Sequence, residues 1–194
     1  MAGGRGTRLE RSGIHVEKPL LSIGGKPMVD RVVESLEASS LDGIYVAVSP
    51  HTPETRRYLE SEDIRLIPTP GDGYVEDLGY CVEEIGTPVL TVTTDIPLIQ
   101  PDLVNDVLEE YDGRSLTVAT SLRLRESVGV DVDDSKVYDG TVPTGLNIVG
   151  EEGGEKRIVT DDERLAVNVN TAHDAEVARQ MIRDDTDNNT DIHG

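Results

Sequence analysis

The sequence predicts an α/β fold of three layers, with helices on both faces of a mainly parallel, mixed sheet. Three observations lead there. Short β-branched runs closed by Gly and Pro alternate with amphipathic helical stretches, an order that calls for parallel strands joined by helical crossovers. The 194 residues suit one domain, and a chain of that size buries ~70% of its unfolded surface. Hydrophobic residues make up 36%, with no Phe or Trp, so the core has to be built from Val, Leu and Ile.

The first helix is read from Met28, Val29, Val32, Val33 and Leu36, an apolar stripe at helical spacing. Gly-Ile-Tyr-Val-Ala-Val-Ser at 43–49 follows as a strand. Thr52-Pro53-Glu54 supplies an N-cap, a first-turn proline and an acid, opening a helix that runs through Leu59. Strands at 64–67, 88–94 and 115–120 alternate with helices over Tyr74–Ile85 and Asp102–Tyr111. Residues 128–170 hold short strands and a Gly-Gly pair, with no long helical pattern. Thr171 then caps a last helix, with Asp174 in the capping-box position, to about Arg183. Residues 1–183 form a single domain in this reading, and the polar, aperiodic 184–194 form a disordered acidic tail.

Charge narrows the function. The formal net charge is −20, which argues against a nucleic-acid groove. No apolar run approaches the ~20 residues of a membrane span. Cys81 is the only cysteine, which excludes an internal disulfide or a cysteine zinc cluster and suits a reducing cytoplasm. The N-terminal Met-Ala-Gly-Gly-Arg is unlike a secretory signal. Of 18 basic residues 14 are Arg, and 20 of the 38 acids are Asp. That bias favours hydration in concentrated salt, where repulsion is screened within a few ångströms. Against this background residues 1–31 carry six basic side chains and three acids, a net +3. The excess fits an anion site, or an ion-paired segment.

The glycines favour the anion site. Ala2-Gly3-Gly4-Arg5-Gly6-Thr7-Arg8 lets backbone N–H groups approach a polyphosphate with no Cβ in the way. Thr7 adds a hydroxyl and Arg8 a bidentate cation. Glu17-Lys18-Pro19 brings one lysine suited to neutralising a departing pyrophosphate. The loop matches neither Walker spacing nor a dinucleotide fingerprint. Asp95 follows the apolar strand 88–94, where ligands of α/β sheets bind; it reads as a Mg²⁺ ligand or as a cap of the turn before Pro97. His15, His51, His173 and His193 have no metal-ligand spacing and read as solvated.

Gly-Gly-x-Gly-Thr-Arg followed by Lys-Pro resembles the Rossmann-like nucleotidyltransferases, which include sugar-phosphate and molybdenum-cofactor enzymes. Further stretches resemble one branch, the archaeal GTP:adenosylcobinamide-phosphate guanylyltransferases. They are Ser49–Pro53, Gly73–Leu78, Thr94-Asp95, Val142–Asn147 and Asn168–Thr171. The resemblance implies that GTP and a phosphorylated corrinoid acceptor yield adenosylcobinamide-GDP and pyrophosphate, with Mg²⁺ as cofactor. It assigns catalysis to Arg8, Lys18 and Asp95. Nucleotide binding falls to Ala2, Gly3, Gly4, Gly6, Thr7, Arg8, Lys18, Pro50, Thr52, Gly73 and Asp77, with Asp77 on the guanine edge. Pro143, Gly145 and Asn147 lie beside the acceptor, and Asp95 with Asn170 hold the metal. Asp77 also reads as an ordinary first-turn acid, and 143–147 as a turn feeding a strand. A sister transferase with another acceptor, or a nucleotide-binding regulator, remains open. A homodimer is compatible with the sequence, as is a cytoplasmic location. Because the loop begins at Ala2, about five to eight apolar residues are expected ahead of Met1, a short strand's length.

Overall fold

The computed structural model describes residues 1–3, 8–9, 13–62 and 64–191. A small antiparallel pair, β1 (Ser22–Ile23) and β2 (Lys26–Pro27), leads into α1 (Met28–Glu37). Next come β3 (Val46–Val48), α2 (Pro53–Ser61), β4 (Leu66–Pro68), α3 (Tyr74–Ile85), β5 (Val89–Val92) and α4 (Pro101–Glu109). The chain ends in β6 (Arg114–Ser121), α5 (Leu122–Val128), β7 (Thr141–Val149), β8 (Glu152–Thr160), α6 (Glu163–Ala166) and α7 (Ala172–Asp191).

Strands β3 and β4 pair in parallel. A four-stranded sheet has the order β5-β7-β6-β8. In it β7 runs antiparallel to both β5 and β6, and β8 runs parallel to β6. Three of its four strands therefore point the same way, and only β7 is reversed. Met1 and Ala2 connect the two sheets. Met1 N donates to Val92 O, Thr94 N donates to Met1 O, and Ala2 N donates to Ala47 O. Bonding to residues 92 and 94 from one residue is the pattern of a parallel bridge. Beside Met1 a cavity of ≈ 360 Å³ lies between β3 and β5, lined by Val33, Leu36, Val46, Leu78, Cys81 and Leu90 among others.

The aliphatic core forms as the composition requires. One cluster packs α1 and α4 on the larger sheet through Val32, Ile96, Ile99, Val104, Leu116 and Leu146. A second packs α7 on β1 through Ile23, Met28, Val169, Ala175 and Ala178.

Three local readings differ from the sequence. Helix α5 sits where none was read; Ser121 Oγ caps it by accepting from Leu124 N, and Gly129 at φ 85° ends it. Leu-Arg-Leu-Arg alternates like a strand, so its periodicity concealed the helix. Helix α7 runs to Asp191 rather than to Arg183. No Gly or Pro interrupts residues 184–191, so adding turns there carries only small propensity penalties. The α7 capping box forms as read: Asp174 N donates to Thr171 Oγ1, and Thr171 N donates to Asp174 Oδ2. The third difference, at the start of α2, bears directly on the site.

Candidate functional site

A cleft of ≈ 330 Å³ opens at the C-terminal ends of β3, β4 and β5. That end is where the strand order of an α/β sheet leaves room for a ligand. Its lining includes Gly3, Lys18, Gly73, Asp77 and Asp95, together with His51. Five residues proposed from widely separated positions therefore share one concavity.

At one end stands Lys18. Its Nζ donates to Asp95 Oδ2 at 2.8 Å and to Asn170 Oδ1 at 2.9 Å. The other oxygen of Asp95 accepts from Thr93 Oγ1 at 2.6 Å and from Asn168 Nδ2 at 3.1 Å. Burial acts to raise the Asp95 pKa, but the charge of Lys18 and the hydrogen bonds from Lys18, Thr93 and Asn168 outweigh it. The carboxyl therefore sits below its usual range. Asn170 is fixed from behind, because its backbone N donates to Asp174 Oδ2 at 2.9 Å. The helix cap of α7 thus also sets the strut for a site residue.

Asp95 Oδ2 and Asn170 Oδ1 converge on a single cationic group. Two such oxygens suit a small, hard cation as well as an ammonium, so these residues fit Mg²⁺. Among the described residues no three His, Cys, Asp or Glu side chains group to form a closed metal cage. Any ion here would draw its remaining ligands from water or substrate oxygens.

At the other end a turn precedes α3. Asp77 is buried, and its Oδ1 accepts from Gly71 N at 2.8 Å. Gly71 and Gly73 have φ of 81° and 146°, which side chains rarely adopt. His51, read as a solvated cap residue, instead lines the cleft with Nε2 3.0 Å from Gly71 O.

The start of α2 corrects the assignment of Pro50 and Thr52. Both flank the cleft without lining it. Thr52 is buried, and its side chain makes no cap bond to the helix. Glu17 fills that place from outside: its Oε1 accepts from Glu54 N at 2.8 Å, and its Oε2 accepts from Thr55 N and Thr55 Oγ1 at 2.7 Å. A carboxylate already satisfies the helix N-terminus and its dipole, so those donors are not offered to a phosphate. Glu17 also anchors the residue next to Lys18. Its position beside the Lys-Pro pair was visible; its partner, more than thirty residues on, was not.

Gly3 packs against Ser49, whose Oγ donates to Gly3 O at 2.8 Å; a Cβ on Gly3 would lie 3.0 Å from Ser49 Cβ. Ala2 is buried beside it. Gly4, Gly6 and Thr7 lie outside the described residues. Arg8 is not in the Lys18 cluster: its Nη1 stands 3.5 Å from Asp133 Oδ2 at the surface. An exposed acid within reach of a long, solvated side chain accounts for that placement.

On β7 the stretch 143–147 meets the site from beneath. Gly145 has φ 95°, and a Cβ there would collide with Thr93 Oγ1, the hydroxyl bound to Asp95. Thr144 O accepts from Asn168 Nδ2 and Pro143 O accepts from Arg125 Nη2. Asn147 sits further along the ladder, opposite Thr91 and Thr117, and is not part of the cleft lining. Thr93, Asn168 and Arg125 are site residues that sequence reasoning did not assign. The i, i+2 spacing of Asn168 and Asn170 could have paired them on one face; nothing marked Arg125.

A mixed α/β sheet with a glycine-lined cleft, a half-buried lysine–aspartate pair and convergent oxygens defines a nucleotide-handling transferase. Residues 1–138 match the MobA-like NTP transferase domain, and the chain belongs to that family. It is 32% identical, over 95% of its length and 96% of the relative's, to the adenosylcobinamide-phosphate guanylyltransferase of Methanocaldococcus jannaschii. It is 30% identical over 75% of its length to the 3-deoxy-manno-octulosonate cytidylyltransferase of Polynucleobacter asymbioticus, spanning 55% of that relative. Among solved structures, CMP:2-keto-3-deoxy-manno-octonic acid synthetase complexed with CTP superposes with a TM-score of 0.65 at 15% identity, covering 87% of this chain and 92% of that one. A transferase from Thermus thermophilus does so at 0.64 and 18% identity, covering 90% and 96%. The fold is thus the Rossmann-like nucleotidyltransferase fold.

Proposed function

We propose that this NTP transferase moves GMP from GTP to adenosylcobinamide phosphate, releasing pyrophosphate and forming adenosylcobinamide-GDP. The observation that carries the transfer chemistry is Lys18 held between Asp95 and Asn170 at the floor of the cleft. The corrinoid acceptor is favoured by the near full-length relationship to the guanylyltransferase of M. jannaschii.

The attacking phosphate is ionised near neutral pH, so the reaction needs no general base. What remains is alignment and charge. The Gly3 backbone lies along the phosphates, and Lys18 meets the charge that builds on departing pyrophosphate. Asp95 and Asn170 would hold a magnesium ion, which when bound supplies further positive charge to the phosphates. Asp77 keeps the 71–73 turn in place for the base and offers its carboxylate to the guanine edge.

The test incubates the protein with each NTP and a panel of acceptor phosphates, namely a cobinamide phosphate, hexose 1-phosphates and a molybdenum cofactor, and measures pyrophosphate. Release confined to GTP with the corrinoid supports the reading. Release with a sugar phosphate or the molybdenum cofactor instead would move the acceptor, and none at all would sink it. The acidic surface is part of the same reading, that of an enzyme working in molar salt. Its melting temperature should rise from dilute buffer to molar KCl as screening relieves self-repulsion; a flat or falling trend refutes this.

A further inference from the structure

Arg125 is among the most buried charged side chains of the molecule, at 3% exposure. Its guanidinium donates to three neutral oxygens: Thr120 Oγ1 at 2.9 Å, Asn168 Oδ1 at 2.8 Å and Pro143 O at 3.1 Å. No carboxylate among the described residues forms an ion pair with it. Burial pulls its pKa down to about 10, against the more distant charges of Asp95 and Asp174, which act to raise it. A buried cation without a direct counter-ion is expensive, and packing alone does not call for one.

Its partners show what it does. Arginine can only donate, so the Asn168 atom facing it has to be the carbonyl oxygen. That choice turns Asn168 Nδ2 toward Asp95 Oδ1 and Thr144 O, both acceptors. A guanidinium, an amide, a carboxylate and the Lys18 ammonium thus form one directed chain in which each link runs from a donor to an acceptor. The same guanidinium holds Pro143 O, in the stretch of β7 assigned to the acceptor. We propose that Arg125 is a positioning residue for nucleotidyl transfer: it locks the Asn168 amide so that Asp95 keeps its second oxygen on the cation side, and it ties that carboxylate to the acceptor strand. The proposal rests on reading Asp95 as the centre of transfer.

The experiment uses Arg125→Met, Arg125→Lys and Asn168→Asp in the full chain, with two readouts. The first is steady-state kinetics. Arg125→Met should lower kcat at least thirtyfold while KM for GTP stays within about twofold, since Arg125 does not line the nucleotide cleft. Arg125→Lys keeps the charge and one donor and should recover part of the loss. Asn168→Asp still accepts from Arg125 but removes the donor to Asp95, and should match the Met variant. The second readout is the side-chain NH₂ resonance of Asn168 by NMR. It should be resolved and slow to exchange in the parent, and broadened or fast-exchanging in Arg125→Met. A role in packing alone predicts a lower melting temperature with kcat per folded molecule and the amide resonance unchanged, and that result overturns the proposal. If Arg125→Met does not fold, Arg125→Lys and Asn168→Asp decide it by the same criteria. If the parent releases no pyrophosphate with any acceptor, the reading of the function fails, yet the amide resonance still decides whether Arg125 locks Asn168.

Discussion

The two ends of the cleft are built by different means. At the proposed transfer end Lys18, Asp95, Asn168, Asn170 and Arg125 are tied by side-chain hydrogen bonds from four separate stretches of chain. At the proposed base end the 71–73 turn is held by the Asp77 carboxylate and by His51 Nε2 against Gly71 O, and two glycines at positive φ shape it. Tyr74 and Val75, beside that turn, remain exposed. Charges that meet a changing transition state have to be placed beforehand, because any reorganisation adds to the barrier. A base that is unchanged by the reaction needs only a fitting edge. Under the proposed function the contrast follows the chemistry: a side-chain network where bonds would change, and backbone with one acid and one imidazole where the base would be recognised.

The largest effect should come from the rigid end. Lys18→Ala removes the charge shared by Asp95 and Asn170, and kcat should fall about 100-fold, near 3 kcal/mol by comparison with the loss of one transition-state contact. KM for GTP should change by less than threefold. Loss of GTP affinity with kcat intact would show that the lysine binds the ground state, and the proposed division between the ends would break.

One substitution made at both ends gives the next test. Gly145→Ala forces a side chain into φ 95° and onto Thr93 Oγ1, so about 2 kcal/mol of stability should be lost, with kcat down about tenfold as the Thr93–Asp95 bond is disturbed. Gly79→Ala lies on α3 with nothing within 4 Å of the new Cβ, and helix propensity predicts a gain of up to about 1 kcal/mol. Thermal melts and kinetics of the pair check both. Equal effects would mean that the ends do not differ in rigidity.

How much of this was legible follows from the distance over which each feature is decided. Helices α1, α3 and α4 and strands β3 to β6 were readable because apolar periodicity and turn residues are local signals. Strands β7 and β8 were not read as two nine-residue strands: Pro143 and Gly145 break the alternation of the first, and Gly153 and Gly154 that of the second. In the site, Lys18, Asp95 and Asn170 carried family resemblance and meet in space. Glu17, Thr93 and Arg125 act through partners set by the tertiary fold, and no spacing rule reports those; only Asn168 carried a local signal, its i, i+2 spacing from Asn170. The same limit explains Thr52, a good cap by residue type at a helix whose end another side chain had taken.

A smaller effect is expected at the base end. Asp77→Ala should reduce the preference for GTP over ATP about tenfold, roughly 1.4 kcal/mol, since the carboxylate is assigned to the guanine edge. Asp77→Asn keeps an oxygen for Gly71 N and so separates the turn from the base. If Asn restores stability but not the GTP preference, the acid reads guanine. If Asn restores both, Asp77 only shapes the turn. An unchanged GTP/ATP ratio in both variants would move base recognition elsewhere in the cleft.

The smallest effect should come from Glu17, which joins the two halves of the comparison. Its carboxylate caps α2, an element of the β3–α2–β4 side, while its neighbour Lys18 serves the transfer end. Glu17→Gln retains one acceptor oxygen and loses the charge facing the helix dipole. A cap contributes about 1 kcal/mol, and the charge part is a fraction of that, so the melting temperature should drop by only a few degrees. The kinetics are more informative than the melt. If Glu17 is merely a cap, kcat per folded molecule is unchanged. If the cap also fixes the backbone from which Lys18 reaches Asp95, kcat falls a few-fold with KM for GTP constant, because small displacements of an aligned charge weaken it most in the transition state. We expect the second outcome, since the 3₁₀ turn Lys18–Leu20 begins directly after Glu17 and leaves no flexible residue between cap and lysine.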